Sequence, residues 1–224
     1  EVNETLEERS TQMKTVLPVL AGIATLAVSS VASAAFTGLA ADSYINGDFA
    51  VVDLYACYDS GDDVTLNAFN ADITNLDWNH DDFLGPNWSP VLALSDVDSF
   101  VAIGGTTGAG NTTTGDPNFS GLNGAGIPEL AGWFNGDPPN LQGQAAANEA
   151  VGDGFYTLLG RFVIATPTAP ASLDVNSISL TYKQGLGTPA EQTTTSGSFA
   201  FVPAPGALAL LGLAGLAGSR RRRA

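Results

Sequence analysis

Between residues 35 and 201 the apolar positions recur at a period of two, in short runs. In AVVDLYAC (50–57), Val52, Leu54 and Ala56 fall on one side and Val51, Asp53 and Tyr55 on the other. DVTLNAFNADI (63–73), DSFVAIGG (98–105), GFYTLLGRFVIAT (154–166), SLDVNSISLTYKQG (172–185) and SGSFAF (196–201) behave similarly, and Ile178, Leu180 and Tyr182 alternate cleanly with Ser177, Ser179 and Thr181. Gly, Asn, Asp and Pro clusters separate these runs. Short alternating segments with turn chemistry between them predict an all-β fold, an antiparallel β-sandwich of jelly-roll-like or Ig-like type. The best helical candidate inside this region is GQAAANEAV (143–151), about two turns. Residues 104–141, rich in Gly, Thr, Asn and Pro, read as a long excursion over the sandwich, pinned by Trp133 and Phe134. Trp78 and Trp88 are expected in the core.

Two further apolar stretches do not alternate. MKTVLPVLAGIATLAVSSVASAAF (13–36) has the three parts of a secretory signal: Lys14, the apolar run Val16 to Val28, and small residues at Ala32 and Ala34 that place cleavage before Ala35. Its apolar part is shorter than the roughly 20 residues a bilayer requires. Residues 1–12, EVNETLEERSTQ, form a polar leader upstream of Met13. At the other end, Gly206 to Gly218 carries no charge, and as a helix would span about 20 Å at 1.5 Å per residue, against an apolar bilayer thickness of about 30 Å. Pro203 and Pro205 bracket its start and Arg220, Arg221, Arg222 and Arg223 close it. Such an arginine cluster stays on the cytoplasmic side and leaves the preceding domain outside. The chain therefore divides into a leader (1–12), a signal peptide (13–34), a β-sandwich domain (35–201) and a C-terminal segment (202–224).

Charge narrows the functional classes. The chain has 23 acidic and 8 basic residues, a formal net charge of −15. Six of the bases, Arg9, Lys14 and the four terminal arginines, lie outside the sandwich region, which retains only Arg161 and Lys183. A surface of that sign repels phosphate backbones, which argues against nucleic-acid binding. One cysteine, Cys57, and one histidine, His80, supply neither a disulfide nor a zinc site. Cys57 reads as a buried strand residue. No nucleophile elbow, phosphate loop or zinc signature occurs, so no enzyme activity is expected. The remaining chemistry is carboxylate. Asp59, Asp62 and Asp63 in DSGDD, and Asp77, Asp81 and Asp82 in DWNHDD, offer oxygen ligands to Ca²⁺ without matching the spaced D-x-D-x-D-G loop. Solvated turn acids are the plainer reading, and no other cofactor is implied.

Val202-Pro203-Ala204-Pro205, the Ala/Leu/Gly run and Arg220 to Arg223 together resemble the PEP-CTERM sorting signal of Gram-negative bacteria, also known as the ice-binding protein C-terminal motif. Ala204 stands where that motif carries its glutamate. The resemblance covers about 23 residues and implies recognition by an exosortase-type membrane transpeptidase, anchoring through the C-terminus before processing, and release to the cell surface or beyond. YDSGDDVTLNAFNADI, DSFVAIGG and GWFNGDPPN further resemble stretches of planctomycete proteins bearing this tail. The expected function is that of an exported, non-enzymatic surface or matrix protein that meets exopolysaccharide. The alternative is an exported carbohydrate-active or calcium-dependent carbohydrate-binding sandwich, marked by a groove with facing carboxylates or exposed aromatics.

Overall fold

The period-two pattern of residues 50–58 forms the centre of the molecule. Strand β2 (Phe49–Tyr58) turns Ala50, Val52, Leu54, Ala56 and Tyr58 into the core. It pairs antiparallel with β1 (Phe36–Asn46) across a two-residue turn, where Gly47 takes φ 60 at the first loop position, a conformation that suits the twist of the flanking strands. The computed structural model describes residues 36–81, 84–167 and 169–201. Its remaining strands are β3 (Val64–Ile73), β4 (Phe100–Val101), β5 (Thr113–Gly115), β6 (Ala131–Asn135), β7 (Ala146–Asn148), β8 (Gly152–Ala165), β9 (Ser172–Lys183) and β10 (Ala190–Ala200). Two 3₁₀ turns, Pro117–Leu122 and Pro138–Asn140, flank β6.

The strands make two five-stranded antiparallel sheets that do not close into a barrel, an all-β sandwich. One sheet runs β1-β2-β8-β4, with β7 also on β8; the other runs β10-β9-β3-β6-β5. Apolar side chains of β2 and β8, including Leu159, Phe162 and Ile164, face Leu173, Val175, Ile178 and Leu180 of β9. An aromatic cluster fills one region of this layer. Trp78 meets Trp88 edge-on at 5.8 Å and lies 5.5 Å from Phe162 and 6.5 Å from Phe201. Aromatic contacts of this kind add about 0.5–1.5 kcal/mol each beyond burial. Phe201 is fully buried, and its N–H donates to the Ala171 carbonyl at 2.9 Å.

Two expectations need correction. Residues 143–151 are not helical. Their amides and side chains are claimed by other elements: Ala145 N–H donates to the Asp63 carbonyl, the Gln144 side chain to the Gly61 carbonyl, and β7 pairs with β8. Tertiary hydrogen bonds override the helical preference of the alanines. Residues 104–141 are also more than an excursion, because β5 and β6 extend the second sheet beyond β3. Trp133 does pin this segment, fully buried with Nε1–H donating to the Ala102 carbonyl at 3.0 Å. Phe134, one position on, faces outward and is exposed, as the pleat requires.

The Gln142 side chain ties the same segment down. Its amide group donates to the Ile103 carbonyl, Asn111 Oδ1 and Thr113 Oγ1, while its oxygen accepts from the Thr112 amide at 2.8 Å. Next to it Gly143 leaves no room for a side chain, since a Cβ there would run into the Thr65 carbonyl.

Candidate functional site

The DSGDD acids sit where the chain crosses between sheets. β2 belongs to the first sheet and β3 to the second, and residues 59–63 make the corner. Asp59 and Asp62 are exposed, but Asp63 is closed to solvent. Neither of its carboxylate oxygens meets a hydrogen-bond partner at bonding geometry. Burial pushes its pKa up to about 6, and the charge of Asp59 adds to this; the Ser60 amide pulls the other way, while Asp62 and Glu191 push it further up. Beside it, Tyr58 and Thr65 share a hydroxyl hydrogen bond of 2.7 Å, and the Tyr182 hydroxyl donates to Glu191 Oε2 at 3.1 Å.

The DWNHDD acids do not gather. Asp77 and Asp81 are exposed, and Asp82 lies outside the described residues. The acid that organises this loop is Asp98, which is buried and accepts from the Asp81 amide at 2.9 Å and the Leu94 amide at 3.3 Å. His80 Nδ1 lies 3.8 Å from Asp98 Oδ1, and its ring packs edge-on against Trp88 at 4.6 Å. Among the described residues, no three His, Cys, Asp or Glu side chains come together to hold a metal ion among themselves.

On the outer face of the first sheet, Arg161 of β8 grips Asp53 of β2 with two hydrogen bonds, Nε to Oδ1 at 2.7 Å and Nη2 to Oδ2 at 2.8 Å. Nη1 donates to the Asp96 carbonyl at 3.3 Å, and the guanidinium lies 5.7 Å from the Phe100 ring centre. The hydrogen bonds to Asp53 raise the Arg161 pKa further. Tyr44 and Tyr55 flank the pair, each pushed up to about 12 by burial first and the Asp53 charge second. The alternation at 50–57 placed Asp53 on an outer face without foreseeing that this face is covered. A signal was present: Arg161 is one of two bases in the domain and stands within an apolar strand, where a charge needs a partner.

A small open cleft of about 260 Å³ lies where β4 and β7 approach β8 from opposite ends. Tyr55, Tyr156, Gln144, Asn148 and Thr157 line it, with no carboxylate. The two tyrosine rings meet edge-to-face at 6.2 Å, and the Tyr156 hydroxyl donates to the Asp153 carbonyl. A second, more apolar groove of about 320 Å³ is formed by Val64, Leu66, Pro138, Leu141 and Leu186 beside Lys183. Cys57 is half-buried, and burial pushes its thiol up to about 11, which suits a strand residue rather than a nucleophile.

The signal-cleavage residues Ala32, Ala34 and Ala35, the motif Val202, Pro203 and Pro205, and Arg220 to Arg223 lie outside the described residues. What precedes the motif is described: buried Phe201 is its immediate neighbour. Among the described residues no helix is long and apolar enough to cross a membrane. No protein-family model, curated relative or solved structure matches the chain, so its candidate sites stand on their own residues.

Proposed function

We propose that the chain is an exported, non-enzymatic surface or matrix protein whose sandwich is delivered by its terminal segments: signal peptide first, then a C-terminal segment read by an exosortase-type enzyme. The observation that carries this reading is the order Pro motif, uncharged Ala/Leu/Gly run and Arg220 to Arg223. The sandwich is compatible with it in that Phe201, the residue before Val202, is packed in the core beside Trp78. Intact mass spectrometry of the protein recovered from its native envelope tests both ends together. The expected mature form starts at Ala35 and ends near Pro205. Replacing Arg220 to Arg223 with alanine should leave the melting temperature unchanged but release the protein from the membrane fraction, because each arginine costs about 2.5–3.5 kcal/mol to bring to the bilayer centre. Unchanged membrane retention in that variant would overturn the sorting reading.

A carbohydrate-binding reading is favoured by one specific feature, the Tyr55–Tyr156 cleft, which is uncharged on a strongly acidic protein and offers aromatic, amide and hydroxyl groups to a neutral sugar. Affinity electrophoresis in gels containing neutral glucans distinguishes it. Retardation that disappears in Tyr156→Ala supports this role, and equal mobility with and without glucan removes it.

A further inference from the structure

Of the acids at the DSGDD corner, Asp59 and Asp62 are exposed and Asp63 is buried. A carboxylate that is closed to water normally receives two or three hydrogen bonds, and leaving it without them costs several kcal/mol. Here neither oxygen meets a partner at full bonding geometry, and the Ser60 amide offsets only part of the cost of burying the charge. The charges that act most strongly on Asp63 are also of its own sign, from Asp59, Asp62 and Glu191. Neither base of the domain forms an ion pair with Asp63. Arg161 is held by Asp53, and Lys183, although β9 places it opposite Val64, makes no ion pair with Asp63 and lines the apolar groove. A buried anion in a field of anions, with no protein cation assigned to it, is a position that an external cation satisfies.

We propose that the corner between β2 and β3 binds one hard divalent cation, Ca²⁺, with Asp63 as the buried anchor and Asp59 and Glu191 as the acids that draw the ion in. The choice of ion follows from the donors. All available groups are oxygens, which excludes soft metals, and Ca²⁺ accepts six to eight oxygens in irregular geometry, including backbone carbonyls and water. Among the described residues no three acid side chains gather on one point, so the proposed shell requires backbone carbonyls and water as well; Mg²⁺, which requires near-ideal octahedral geometry, fits such a corner less well. Two clusters that look equivalent in sequence are thereby separated, because Asp77 and Asp81 are exposed and the buried acid of their loop, Asp98, accepts hydrogen bonds from the Asp81 and Leu94 amides. The site does not depend on where the protein is delivered.

Tyr58 and Tyr182 lie within electrostatic reach of Asp63, so they can sensitise a bound lanthanide. The full-length protein, stripped with chelator and held at pH 7.5, is titrated with Tb³⁺ under tyrosine excitation and then with Ca²⁺ as competitor, with a parallel thermal melt in Ca²⁺ alone. The expected result is saturable emission that Ca²⁺ displaces, and a melting temperature that climbs by several degrees with Ca²⁺, since a ligand that prefers the native state stabilises it. Asp63→Asn should abolish both responses while melting above the chelator-treated wild type, because the amide removes the buried charge. Asp59→Asn and Glu191→Gln, both surface changes, should weaken Ca²⁺ several-fold, and Asp77→Asn with Asp81→Asn should leave it unchanged. A wild type whose melt ignores Ca²⁺, or an Asp63→Asn variant that responds like wild type, overturns the site; the first result, with a more stable Asp63→Asn, means that a proton rather than a metal neutralises the acid.

Discussion

Arg161 is held by two charged hydrogen bonds to Asp53, a backbone carbonyl and an aromatic face, and the pair is largely withdrawn from water. Asp96, whose side chain is 89% exposed at 3.9 Å, adds little to it. Removing one partner leaves an uncompensated charge in a covered place, so Asp53→Ala should cost about 3 kcal/mol in urea unfolding. The double variant Asp53→Leu with Arg161→Met removes both charges and should recover most of that loss. A double variant no more stable than the single one would mean that the pair holds the outer face by packing rather than by charge. Cys57 gives a second prediction at this scale. With its thiol pushed up to about 11, only a small fraction is thiolate at pH 8.5. Iodoacetamide should therefore label the native protein roughly a hundredfold more slowly than the urea-unfolded chain, with the rate climbing as pH rises towards 11. Equal labelling rates at pH 8.5 would show that the strand opens readily.

At the scale of elements, the weak point is the long connection from β4 to β7, which is ordered by amide side chains as much as by strands. Gln142 holds residues 103, 111, 112 and 113 with one side chain. Gln142→Ala should leave several buried groups unpaired and cost about 2–3 kcal/mol. Hydrogen exchange at the Thr112 amide should accelerate well beyond that of the β2–β8 ladder, and uniform acceleration would place the loss in global stability instead. This segment also marks the limit of pattern reading. Strands β2, β3, β8 and β9 were legible from the alternation at 50–57, 63–73, 154–166 and 172–185, although β2 is buried on both faces from Ala50 to Leu54. β1 was missed, since its residues are half-buried on both faces and follow directly on the signal-like run. β6 is five residues long among glycines and prolines, too short for periodicity to register. β7 was read as helix because alanine content is a local property, whereas its partners Asp63 and β8 are set by the fold. Of the candidate acids, composition identified the DSGDD corner but could not separate buried Asp63 from exposed Asp59 and Asp62; the ion pair of Asp53 joins residues 108 positions apart and has no local trace beyond the lone arginine.

For the whole molecule, the core extends to the last described residue. Phe201→Ala would empty a fully enclosed site against Trp78 and should cost about 3–5 kcal/mol in chemical denaturation. Ending the chain after Val202 should leave the denaturation midpoint where it is. If the truncation is as damaging as Phe201→Ala, residues beyond 202 share in the packing and the domain boundary is wrong.

The seating of Phe201 also sets a leash length. Only residues 202–205 separate it from the apolar run at Gly206, and four residues span at most about 14 Å when fully extended. If that run is embedded, as the proposed sorting requires, the Trp78 end of the sandwich stays within about 14 Å of the apolar layer, too close for a second folded domain to slip between. An enzyme that cuts at Pro203 or Pro205 has to reach into this gap sideways, along the membrane plane. Lengthening the leash with a few glycines after Phe201 would then speed processing without altering the domain, and shortening it would stall release.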